Sequence, residues 1–159
     1  MDRQLLSKIL TIMKKYLKEG KSIGDLKVSS LLALGHQLEA IFYYLGHELG
    51  TIISVKQVKD VSDIPEALKK IVAEYNIGDI TITESTNEII QLKLQGHSSI
   101  KDLINKGIKT KGSFSSFEAG MLAGIVEKMT NIHCFAQELS SALEIGNNYC
   151  EFMIVFQKD

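Results

Sequence analysis

A chain of 159 residues with 45% hydrophobic content is the size of one ordinary domain and can bury a core without covalent staples. Its formal net charge of −1 gives no general electrostatic pull toward nucleic acid or an anionic membrane. Two cysteines are too few for a disulfide scaffold at this length and point to a reducing, cytoplasmic setting.

In chain order, "MDRQLLSKILTIMKKYLKEGK" scatters lysines through an apolar repeat, which predicts an amphipathic helix and not a signal peptide. Residues 29–47, "SSLLALGHQLEAIFYYLGH", form the most apolar stretch, with Glu39 as its only Asp, Glu, Lys or Arg. A transmembrane helix needs about 20 predominantly apolar residues, and His36, Gln37, Glu39 and His47 interrupt this run, so we expect a buried or dimer-interface helix and no membrane span. "SDIPEALKKIVAEYNIG" predicts a helix with Asp63 as N-cap, Pro65 in its first turn and Gly78 as its stop. "DITITE" and "EIIQLKL", joined by "STN", predict a β-hairpin. A short helix in "HSSIKDLINKG" and a loop at "IKTKG" follow, then a tightly packed helix in "SSFEAGMLAGIVEKMTN", where small residues alternate with bulky ones. "IHCFAQE" and "YCEFMIVF" predict two closing strands. With no repeat or linker between these elements, the expected class is α+β: N-terminal helices packed on a largely antiparallel sheet with intervening helices, in a single domain over 1–159.

Candidate motifs thin out on inspection. "GKS" at 20–22 lacks the glycine a phosphate-binding loop requires, because Lys15 stands there. His36 and His47, if on one continuous helix, are roughly 16 Å apart along its axis and cannot share a metal; they read as packing histidines. "GHELG" and "GMLAG" each carry a Gly-x-x-x-Gly pair, a mark of close backbone approach. Serines 98, 99, 115, 116, 140 and 141 sit in no nucleophile framework and are expected as caps and turn residues. If 131–138 is extended, Ile132, Cys134, Ala136 and Glu138 point one way and His133, Phe135 and Gln137 the other, so His133 and Cys134 do not grip one ion.

Residues 79–157 resemble the 4-vinyl reductase domain, a small-ligand-binding family whose fold is shared with haem nitric-oxide-binding domains and TRAPP core subunits. The likeness rests on "SSFEAG" at 115–120, "MLAGIVEKM" at 121–129, "ELSS" at 138–141 and "GNNYCEF" at 146–152, in the order of the family's carboxy-terminal signature. In metal-bearing members that signature holds zinc, and the matching positions here are Ser115, Glu138, Ser141 and Cys150. Serine hydroxyls are poor zinc ligands beside thiolates or imidazoles, so the resemblance implies a remnant site with no metal.

The resemblance further implies a cavity for a hydrophobic or aromatic small molecule, in a homodimer built through the helical half at 1–50. Phe42, Tyr43, Phe117, Met121, Phe135 and Phe152 are suited to wall such a cavity. The expected function is a non-catalytic binding module or sensor. An assembly protein like the tethering subunits is the alternative, and reduction of a vinyl group comes third. No dinucleotide fingerprint or iron ligand set is present, and no cofactor or nucleic-acid partner is expected.

Overall fold

The computed structural model describes residues 3–21, 23–35 and 37–157. Three helices, α1 (Arg3–Lys18), α2 (Gly24–Leu34) and α3 (Leu38–Ile52), precede α4 (Ile64–Glu74) and the hairpin β1 (Asp79–Ser85) and β2 (Ile89–Gln95). Short α5 (Lys101–Asn105) and long α6 (Ser116–Thr130) follow, then β3 (Cys134–Ser140), α7 (Ala142–Ile145) and β4 (Tyr149–Phe156). The class is α+β.

Two local expectations are corrected. The apolar run 29–47 is two helices and not one: Gly35 takes φ +84°, its N–H returns to Leu31 O at 2.8 Å, and a new helix begins at Leu38. Composition hides this break, because two of the leucines before it, Leu32 and Leu34, are solvent-facing, Leu32 at 84% exposure. With the helix interrupted, the shared face expected for His36 and His47 has no continuous scaffold, and His36 and Ser22 lie outside the described residues. At α4, Asp63 holds the N-cap position without a capping bond; Asp60 instead accepts from Ser62 N at 2.8 Å in the preceding 3-10 turn. That helix ends at Glu74, before Gly78, where Asn76 adopts φ +52° and donates its side-chain amide to Lys18 O at 2.6 Å.

The two Gly-x-x-x-Gly pairs meet each other. Gly46 and Gly50 of α3 face Phe117, Met121 and Ile125 of α6, while Gly120 and Gly124 of α6 face Tyr43, His47 and Thr51 of α3. Contacts advance together along both helices, so the two run side by side in the same direction. A Cβ on any of the four glycines would overlap or crowd opposing backbone, so close packing here depends on the missing side chains.

The four strands form one antiparallel sheet in the order β1-β2-β4-β3. Period-two alternation turns Leu92 and Leu94 of β2, Cys150, Phe152 and Ile154 of β4, and Cys134, Ala136 and Glu138 of β3 toward the helices. The strand pairing sets Phe152 between Leu92 and Glu138, so one carboxylate enters an otherwise apolar face. Among the described residues no helix is long and apolar enough to cross a membrane.

Candidate functional site

The carboxylate of Glu138 organises the segment that leads into α6. Ser113 Oγ, Phe114 N and Ser115 N all donate to its Oε2, at 2.8, 2.6 and 2.8 Å. Three donors on one oxygen hold residues 113–115 against β3 and start α6 beside the sheet. The other oxygen, Oε1, is buried without a hydrogen-bond partner, as are Ser141 Oγ and His97 Nδ1.

Beside this hub lies a buried cation. Lys27 of α2 is fully enclosed; its ammonium donates to Phe114 O and to Ser116 Oγ at 3.3 Å and pairs with Glu39 Oε2 at 3.4 Å. It also sits 5.1 and 4.6 Å from the ring centres of Phe42 and Phe114. Ser116 Oγ donates to the same Glu39 oxygen. Deeper in the core, Glu118 accepts from Ser99 N at 3.0 Å and Ser99 Oγ at 2.8 Å. Burial raises its pKa above the usual carboxylate range, against the pull of the Lys27 charge and the Ser99 bonds.

His97 completes the cluster, with Nε2 2.9 Å from Ser115 Oγ and its ring edge-on to Phe152. Burial drives its pKa down to about 3, Glu138 opposing and Lys27 adding to the shift. Below pH 6.5 the unfolded chain binds a proton at His97 that the folded chain refuses until about pH 3, so stability falls as the pH is lowered through that window. We expect the native chain to lose about 1 kcal/mol more than His97→Gln between pH 6 and 5, measured by urea unfolding. Equal losses would contradict a buried neutral imidazole.

Of the four positions that match the family's zinc ligands, Ser115, Glu138 and Cys150 lie together, and Ser141 is buried next to Ala142 in the chain. Ser115 Oγ lies 3.6 Å from Cys150 Sγ, Ala142 N donates to that sulfur at 3.3 Å, and Ser115 N donates to Glu138. They do not fit zinc. Burial, then the charge of Glu138, raises the Cys150 pKa and keeps it a thiol; Glu138 Oε2 is already saturated; and two positions are hydroxyls. Among the described residues no group of three or more His, Cys, Asp or Glu could hold a metal ion. Cys134, pushed up to about 12 by burial, donates to Ala123 O at 3.2 Å, while His133 turns outward to Glu127, as strand alternation requires.

A groove of about 340 Å³ opens between α3 and the edge strand β3. Ala40, Tyr43, Ala119, Phe135 and Ala136 give it apolar walls, and Glu39, Ser113, Ser116 and Glu138 gather polar groups in the same lining. Tyr43 and Phe135 stack with ring centres 5.2 Å apart. The Tyr43 hydroxyl accepts from Ala136 N at 3.1 Å, which caps an exposed donor of the strand edge and fixes α3 alongside it. A larger recess of about 710 Å³ beside α4 mixes the charged Lys56, Asp63, Glu66, Lys70 and Glu74 with the apolar Val55, Val58, Ala67 and Ile71, and it has no aromatic wall.

Of the residues expected around a ligand, Tyr43 and Phe135 line the groove, Phe42 is half-buried near Lys27, and Phe117, Met121 and Phe152 are enclosed in the core. The serine expectation is corrected: Ser99 and Ser115 use their hydroxyls inside the polar cluster, not as helix caps. Lys27, Glu118 and His97 had no sequence signal, since burial of a polar or charged group depends on partners distant in the chain.

The family described as protein of unknown function (DUF2507) matches residues 26–153. The uncharacterized protein MJ1642 of Methanocaldococcus jannaschii is 27% identical over 121 residues, covering 76% of this chain and 66% of that protein, slightly under two thirds of its length. The resemblance to 4-vinyl reductase domains holds at the level of the fold. A vinyl-4-reductase family protein from Methanocaldococcus jannaschii superposes with a TM-score of 0.62 at 22% identity, covering 99% of this chain and 98% of that one. The phenol-responsive sensory domain of the transcription activator PoxR, solved with phenol, gives 0.64 at 14% identity over 84% of this chain and 72% of that one. A trafficking protein particle complex subunit 3 from Naegleria fowleri, covalently bound to palmitic acid, gives 0.54 at 13% identity over 98% and 94%.

Proposed function

This chain belongs to the DUF2507 family of proteins of unknown function, and from that premise we propose that residues 1–159 form a single non-catalytic module that binds a hydrophobic or aromatic small molecule, in a reducing cytoplasmic setting. The observation that carries this proposal is the groove between α3 and β3, whose stacked Tyr43 and Phe135 give an aromatic wall and whose carboxylates and serines supply orienting groups. Support also comes from two proteins of the same fold solved with an apolar or aromatic molecule, phenol in one and palmitic acid in the other.

The chain contains no tryptophan, so the emission of 2-naphthol can be followed directly as it is titrated with protein. We expect saturable binding, weakened about tenfold in Phe135→Ala by loss of the aromatic contact. A flat titration would contradict the proposal.

A second function, assembly, draws on the exposed Leu32, Leu34, Ile41 and Tyr44 of α2 and α3, apolar side chains of the helical half that a second copy would cover. Sedimentation should then give a dimer that Ile41→Glu dissociates; a monomer in the native chain would remove this alternative.

A further inference from the structure

Resting on the binding module proposed above, we infer that the groove selects ligands whose apolar or aromatic body ends in a hydrogen-bond donor, a hydroxyl or a protonated amine, and that it rejects carboxylates. Beside Glu39 and Glu138 the serine and lysine protons are already committed, and the amide of Gln137 lies at the exposed side of the lining. Ser113 Oγ donates to Glu138 Oε2 at 2.8 Å, and Ser116 Oγ donates to Glu39 Oε2. Lys27 has three N–H bonds and three neighbours to receive them: Phe114 O, Ser116 Oγ and Glu39 Oε2. This enclosed ammonium cannot turn to an incoming anion without leaving one of them.

Acceptors, in contrast, are left over. Glu39 Oε1 and Glu138 Oε1 are both buried without a hydrogen-bond partner, and both residues line the groove. Glu138 is only 7% exposed, so water does not readily supply what the protein withholds. The Cys150 thiol hydrogen-bonds Glu138, but as a thiol it is a weak donor. Two carboxylates therefore stand against one ammonium, with two oxygens lacking donors. A ligand hydroxyl or ammonium would complete these valences, whereas a ligand carboxylate would add like charge in a poorly solvated place.

Four naphthyl probes of one shape separate the possibilities: 2-naphthol, 2-naphthylmethylamine, 2-methoxynaphthalene and 2-naphthoate, each titrated calorimetrically at pH 7 into the native chain and Glu39→Gln. We expect the alcohol and the amine to bind about tenfold tighter than the methoxy compound, the ratio one charge-assisted hydrogen bond supports, with naphthoate weakest. Either order between alcohol and amine upholds the donor requirement and identifies the head group. Glu39→Gln, which keeps an acceptor for Lys27 and removes a charge, should narrow the gap between amine and naphthoate. Naphthoate binding as tightly as the alcohol and amine would overturn the inference. So would equal affinity for the methoxy compound, although the binding module would then stand. Failure of all four to bind would overturn the module itself.

Discussion

Gly120→Ala is expected to lower stability by about 3 kcal/mol or more, a large share of the total for a domain of this size. The added methyl would overlap Tyr43 O and approach His47 N to 2.9 Å, and both are backbone atoms of a helix that cannot step aside alone. Gly46, Gly50 and Gly124 face the same constraint from either side, so relief at one contact tightens the next. Gly107→Ala is the control. There the backbone has φ +68° but nothing lies within 4 Å of the new methyl, and about 1 kcal/mol of backbone strain is expected. Urea unfolding of the two variants separates steric from conformational cost, and similar losses would show that α3 and α6 do not rely on close approach. The functional consequence is direct, because α3 carries Tyr43 and Glu39 to the groove.

Lys27→Met is expected to cost about 3 kcal/mol at pH 7, the range seen when one partner of a buried ion pair is removed. Methionine fills the space but leaves Phe114 O and Glu39 without the ammonium between them. It also removes the positive charge that lowers the pKa of Glu118 against burial. Adding Glu39→Gln to Lys27→Met should restore part of the loss, because the uncompensated carboxylate is then gone. A loss below about 1 kcal/mol for the single variant would mean that Lys27 is solvated through local opening and not held as described.

Much of the fold was legible because it rests on local pattern. Alternation in 131–138 placed Cys134, Ala136 and Glu138 on one face, and the paired glycines of 46–50 and 120–124 announced a close approach. The break at Gly35 was not legible, since an apolar run looks the same whether its residues pack inward or, like Leu32, face solvent. The candidate site was legible in part. The family signature drew together Ser115, Glu138 and Cys150, which the structure also brings together. The role of Glu138 as a hydrogen-bond hub was hidden, because its donors are backbone groups of Phe114 and Ser115, to which sequence gives no direction. His97, Lys27 and Glu118 were missed for a related reason: a charged or titratable residue reads as exposed until its tertiary partners are known. Phe135 sits on the outward face of β3 at 48% exposure, and it reaches the groove only because α3 lies along the strand edge.

The most direct test uses alanine methyl groups as reporters of position. With 2-naphthol titrated into methyl-labelled protein, the resonances of Ala40, Ala119 and Ala136, which line the α3–β3 groove, should shift saturably, and those of Ala67 and Ala73, which line recesses beside α4, should not. Shifts confined to Ala67 or Ala73, or no saturable shift anywhere, would contradict a ligand site between α3 and β3.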